Sequence, residues 1–284
     1  MKNDTPRRRR TGGRTTGTGQ RPAAEGERIA KKIARAGICS RRQAETLIAE
    51  RRVTVDGQVI ESPALNVTGA QIVAIDGETL RTPEPVRLFR LHKPTGVVST
   101  ARDPDGRRTI TDLLPPELPR LMTIGRLDIN SEGLLLLTND GELKRRLELP
   151  STGWLRRYRV RVYGDLDEQA LKALESGIEI DGVRYGSIMA RLDSRRGANA
   201  WLSVGLREGK NREIRRVLDH LGLQVSRLIR IAYGPFQLGS LQPRDVDELT
   251  GKVVREQLGG KLLDGLIVPI REQDREQTIR EVRP

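Results

Sequence analysis

One cysteine and two histidines are all the chain offers in thiol and imidazole side chains over its 284 residues. Cys39 has no partner for an intrachain disulfide, and a cysteine-based metal site is not expected. His92 and His220 lie far apart in sequence, which argues against a histidine zinc site. Long apolar runs are missing too: no stretch nears the roughly 18 residues that a membrane-spanning helix needs. The polar N-terminus lacks the apolar core of a signal peptide. A metal-free protein of the reducing cytoplasm is the expectation. Aromatic residues are scarce, with four tyrosines, two phenylalanines and two tryptophans. That scarcity, and the lack of a basic amphipathic helix with bulky apolar residues, counts against binding at a membrane surface.

Positive charge is abundant. Fifty-one lysines and arginines against 38 acidic residues leave a net charge of +13, which calls for a polyanionic partner. The length suffices for two modest domains with their own cores. Residues 1–26 are rich in Arg, Gly and Thr, include Arg7-Arg8-Arg9-Arg10, and read as a disordered basic arm suited to phosphate contact. From 27 to about 80, two short helical patterns precede small strands. Ser40-Arg41-Arg42-Gln43 forms a capping box that opens the second helix, and Asp56-Gly57 and Asp76-Gly77 mark turns. Cations at a helix start oppose the helix dipole, so Arg41 and Arg42 are candidates for phosphate contact. Two prolines in 81–87 mark a linker. A larger domain over 88–250 mixes strands and helices, giving an α+β class with a largely antiparallel sheet. Residues 101–120 read as a long surface loop, and 251–284 as a mobile C-terminal extension.

Three stretches could carry chemistry. Gly125-Arg126-Leu127-Asp128 leads into the apolar run Leu134–Leu137 and an Asn139-Asp140-Gly141 turn. A carboxylate can act as a covalent nucleophile, and an arginine neighbour favours its charged form. On its own an Arg-x-Asp is almost always a structural pair. Glu132 and Asp140 are competing carboxylates, to which no catalytic role is assigned; Asp suits a turn for backbone reasons. In Arg156–Tyr163, Tyr158, Val160 and Val162 alternate with arginines. Tyr158 is either a core residue or a platform for an extruded base. Finally, Glu208-Gly209-Lys210-Asn211-Arg212-Glu213-Ile214-Arg215-Arg216 starts a basic helix that could cradle phosphate. It is not a P-loop: one residue too few separates Gly205 from Gly209, and Asn211 stands where Ser or Thr is required. No nucleotide cofactor is expected.

Together these stretches resemble the motifs of the bacterial ribosomal RNA pseudouridine synthases, over residues 27 to about 250. Gly37–Ala44 resembles the signature of the S4 RNA-binding domain. The resemblance implies Asp128 as nucleophile, Arg126 as an RNA contact near a flipped base, and Tyr158 as the base-stacking tyrosine. It carries over Arg215 as the arginine that pairs with the nucleophile, and Leu228 as the apolar residue near the base. Ser40, Arg41, Arg42, Lys210 and Arg212 are the further RNA-contact candidates. One departure is Leu147-Glu148-Leu149-Pro150-Ser151, where the family often has M-H-P-S. The implied reaction isomerises uridine to pseudouridine in ribosomal RNA, with no cofactor and as a monomer. The S4-like module and basic tails favour the large-subunit 23S branch. A 16S enzyme and a non-catalytic assembly factor are the alternatives.

Overall fold

A computed structural model describes residues 26–269. The basic arm with Arg7–Arg10 and the end of the C-terminal extension lie outside the described residues. The chain divides into two compact units: one takes in residues up to Ile33 and Ser40–Leu80, the other Ala34–Cys39 and Arg81 onward.

In the first unit, α1 (Ile29–Arg35) buries Ile29, Ala30 and Ile33, and α2 (Arg41–Ala49) buries Ala44 and Ile48. These are i, i+4 stripes, the pattern of a helix with one buried face. The capping box forms: Ser40 Oγ accepts from the Gln43 amide at 3.2 Å, and Gln43 Oε1 accepts from the Ser40 amide at 2.9 Å. Strands β1 (Val53–Val55), β2 (Gln58–Val59), β3 (Val73–Ile75) and β4 (Glu78–Thr79) pair antiparallel in the order β2-β1-β3-β4. Asp56-Gly57 and Asp76-Gly77 make the two tight turns, with positive φ at all four residues.

The second unit is built on a nine-stranded sheet. Its labelled strands are β5 (Leu88–Lys93), β6 (Met122–Ile124), β7 (Glu132–Thr138), β8 (Arg156–Tyr163), β9 (Ile188–Arg196), β10 (Asn199–Leu206), β11 (Gln224–Tyr233) and β12 (Val246–Leu249). They run in the order β9-β10-β8-β11-β7-β5-β12, with β6 added alongside β7. Every labelled pair is antiparallel except β11 with β7. The Leu134–Leu137 run explains itself here. All seven residues of β7 are buried, with Leu135 and Leu137 in one apolar cluster and Leu134 and Leu136 in another. A strand covered on both faces has no polar alternation. Helices α3 (Gly141–Glu148), α4 (Glu168–Ala173) and α5 (Glu213–His220) bury Leu143 and Leu147, Leu171, and Ile214, Val217 and Leu218 in turn.

Three boundaries differ from the sequence reading. The linker does not run free to 87: Val86 is buried in the second unit, and Arg87 holds Glu248 at 2.6 Å. Residues 101–120 are not a structureless loop, because Ile110 is buried and Leu113, Leu114 and Leu118 pack on the core. The segment from 251 is not a mobile extension at its start. Thr250 caps α6 (Gly251–Leu263), which breaks at Gly259, and Val254 and Leu258 are buried. Val254 and Leu258 sit four apart, one helical turn, a weak signal in a charged context.

Candidate active site

A cleft of about 1160 Å³ opens in the second unit. It is lined by the turn before β7, the starts of β8 and α5, and the middle of β11. Asp128, Tyr158, Arg215, Arg126, Lys210, Arg212 and Leu228 all line it, brought together from segments far apart in sequence.

The turn that carries Asp128 is fixed through its backbone. Gly125 has φ +69 and donates its amide to Glu148 Oε1 at 2.6 Å. Glu148 belongs to the segment that departs from the family pattern. Ser99 Oγ donates to the Leu127 carbonyl at 2.7 Å and accepts from the Leu127 amide at 3.1 Å. The amide of Ser131 closes the turn onto the Asp128 carbonyl at 3.0 Å. Beneath it lies Lys93, fully buried, whose ammonium donates to the carbonyls of Ser131 at 2.8 Å, Pro94 at 3.0 Å and Asp128 at 3.1 Å. Burial pulls the Lys93 ammonium down to about 8, opposed by the negative charge of Asp128 and Glu132, while Arg230 adds to the pull. Sequence analysis assigned Lys93 no role. The available signal is a lysine ending a strand that buries Leu88, Phe89 and Leu91, since buried lysines need a built set of acceptors.

The Asp128 side chain keeps about a third of its surface open to the cleft. Its ion-pair partner is Arg212, Nη1 to Oδ2 at 3.7 Å, and not Arg215 as the family motif implied. Arg212 sits in left-handed backbone at φ 51, an uncommon place for a non-glycine residue and often a mark of a working site. Arg215 acts one bond further out. It donates to the Asn130 carbonyl at 2.9 Å and to the Val225 carbonyl at 3.1 Å, so it clamps the Asp128 turn onto β11. Burial, then the neighbouring Arg212, lowers the Arg215 guanidinium from its ordinary value, and Asp128 works against both.

Tyr158 is a core residue, as one of the two sequence readings had it, and it also lines the cleft. It is 8 % exposed and belongs to the core with Val160 and Val162, and the same sheet face forms the cleft floor. Leu228 lies on that floor as well. Arg126 is exposed at the rim. Lys210 is less available than expected: its ammonium is held by Glu208 at 2.5 Å and the Arg184 carbonyl at 2.8 Å. Beside it, Glu213 is buried and accepts from the Lys210 amide at 2.8 Å. Burial, and then the charge of Glu208, raises its carboxyl to about 7, against the pull of that amide. The two competing carboxylates are structural. Asp140 caps α3 through the amides of Glu142 and Leu143, both at 2.8 Å, and Glu132 pairs with Arg227 at 2.5 Å. Ser40, Arg41 and Arg42 belong to the other unit. There the Ser40 hydroxyl is occupied by its cap, and both arginines are exposed.

Eight cations (Arg126, Lys144, Arg156, Arg207, Lys210, Arg212, Arg215, Arg230) thus share the cleft with four carboxylates, of which Asp128 lies beside the apolar floor. Such a basic cleft suits a polyanion that delivers one planar group to a fixed carboxylate.

Comparisons with known proteins agree with this geometry. A family model described as RNA pseudouridylate synthase matches residues 87–220, and one for the S4 domain matches 27–81. An uncharacterised RNA pseudouridine synthase of Rickettsia bellii is 46% identical over 229 residues, spanning 81% of this chain and 99% of the relative. The ribosomal large subunit pseudouridine synthase B of Pasteurella multocida is 40% identical over 252 residues, 85% of this chain and 73% of its own. A crystal structure of a pseudouridylate synthase superposes with a TM-score of 0.58 at 27% identity, covering 82% of this chain and all of its own. An S4 module ahead of a mixed sheet whose cleft holds a backbone-fixed Asp128 is therefore the architecture of an enzyme, and the chain belongs to the RNA pseudouridine synthase family.

Proposed function

We propose that this enzyme isomerises one uridine of the large-subunit ribosomal RNA to pseudouridine, with Asp128 acting on the sugar. The observation that carries the reading is the Asp128 turn, whose carbonyls are held by Lys93 and Arg215 while its carboxylate faces a basic cleft. The target nucleotide leaves its stack to enter. Tyr158 and Leu228 flank the base on the cleft floor, and Arg212 orients the carboxylate. Arg126 and the other rim cations hold flanking phosphates. Attack of the carboxylate at C1′ breaks the C1′–N1 bond, and the electron pair leaves with the uracil. The ring turns, and C5 attacks C1′ and releases the carboxylate. The C5 proton is then lost and N1 is protonated. Fixed geometry and charge supply the catalysis. The large-subunit assignment is supported by the named relative of Pasteurella multocida. The S4 unit contributes phosphate affinity, and the enzyme works as a monomer in the cytoplasm.

The test is a map of pseudouridines in 16S and 23S rRNA from cells lacking the gene, complemented with wild type or Asp128→Asn. One 23S site should vanish and return only with the wild type. A missing 16S site instead overturns the subunit assignment. Recovery by Asp128→Asn removes the carboxylate from the chemistry.

A further inference from the structure

Arg230 is a buried cation with no carboxylate within 4 Å among the described residues. It is 3 % exposed. Its Nε donates to the Leu134 carbonyl at 2.7 Å, and its guanidinium lies over the Tyr233 ring at 5.2 Å from the centroid. Its Nη2 is buried and has no hydrogen-bond partner among the described residues. A second buried cation, Lys93, is close enough to feel its charge. A fold gains nothing from an unpaired buried guanidinium next to an ammonium, because desolvating a charge without a partner is costly. A partner that arrives with the substrate accounts for it.

Its place in the sheet says which part of the substrate. Arg230 on β11 is the register partner of Tyr158 on β8, so the two side chains share a face as a cross-strand pair. Leu228, two residues back, shares that face too. On the other side Arg230 pairs with Gly133 of β7, five residues from Asp128. All three side chains line the cleft. This is the floor, where the proposed reading puts the base, and not the rim, where Arg126 and Arg207 are exposed.

We propose that Arg230 touches the everted uracil itself and takes up the negative charge that forms on it. This rests on the pseudouridine synthase reading of the cleft. When the C1′–N1 bond breaks, its electron pair goes to the ring and spreads over N1 and the two carbonyl oxygens. Nη2 donates to one of those oxygens, a fixed donor aimed at charge that exists only once the bond is breaking. The guanidinium also keeps the detached ring in the cleft while it turns from N1 to C5.

The experiment uses the full-length enzyme in excess over unmodified 23S rRNA transcript, with wild type, Arg230→Met and Arg230→Lys. Pseudouridine is read by carbodiimide labelling and primer extension. Affinity is read by filter binding at several salt concentrations, and stability by thermal melting. Arg230→Met should slow the single-turnover rate on the order of 10²- to 10³-fold. Its RNA affinity and salt slope should stay as in the wild type, and its melting midpoint should hold or rise, because an apolar stem replaces a buried charge. Arg230→Lys should recover part of the rate. A wild-type rate in Arg230→Met overturns the proposal. So does an intact rate with weaker binding and a salt slope reduced by about one, the mark of a phosphate contact. A lower midpoint in both variants, with the rate lost equally, makes Arg230 a packing residue and also overturns it. A wild type inert on the transcript overturns the reading of the RNA substrate beneath it, a failure distinct from these.

Discussion

Most of the bonds that place Asp128 are made to peptide groups. Lys93, Ser99, Glu148 and Arg215 all bind the backbone of residues 125–131, and among the described residues only Arg212 forms an ion pair with the carboxylate. In the proposed mechanism the side chain is free to react because its backbone is already held. Lys93→Met tests this. Several buried carbonyls lose their donor, so unfolding by urea should show a loss of about 1–3 kcal/mol. The single-turnover rate should fall as well, while RNA affinity stays close to wild type. An unchanged rate would mean that the turn holds without its lysine. That Asp128, Tyr158 and Leu228 would share one site was readable from the family motifs, and the three do line one cleft. Lys93 and Arg230 were not readable in this way. Each looks like an ordinary strand residue, and only the sheet reveals what surrounds it.

At the scale of elements, the start of α5 does two jobs. It presents Arg212 and Arg215 to the Asp128 turn, and it buries Glu213 next to Glu208. Glu213 ionises near 4.5 when unperturbed and near 7 in the fold. Between those values the folded protein holds a proton that the unfolded chain has lost, so stability falls as pH rises from about 4.5 through 7. Glu213→Gln should remove that slope. Melting curves should show the variant more stable than wild type at pH 8 and little different at pH 4.5. Parallel pH profiles for the two proteins would rule out Glu213 as the titrating group. The apolar run of β7 announced a buried strand, and the alternation of β8 announced a face. The pairing of Arg212 with Asp128 in place of Arg215 was beyond the sequence, because it depends on a left-handed backbone at residue 212. A spacing rule assumes helical φ, and at that position the assumption fails.

For the molecule as a whole, the proposed chemistry falls in one unit and part of the proposed RNA contact in the other. Ser40, Arg41 and Arg42 are in the S4 unit, and the cleft is in the other. Replacing Arg41 and Arg42 together with Gln should weaken binding to 23S transcript and shift the slope of log affinity against log salt by roughly two. The rate at saturating RNA should be untouched. A lower rate at saturation would tie the S4 unit to the chemical step. The module was legible because its capping box and Asp-Gly turns are local signals. The packing of residues 251–263 was not, because what buries Val254 and Leu258 comes from distant parts of the chain. The single parallel contact in the sheet has a further consequence. β11 lies beside β7, joined through Ile229–Glu132 and Arg230–Gly133, nearly a hundred residues apart in sequence. Asp128 is therefore synthesised well before Arg212, Arg215 and Arg230. Such a distant pairing closes late in folding. The cleft around Asp128 is therefore complete only once the strand ending at Tyr233 has been made.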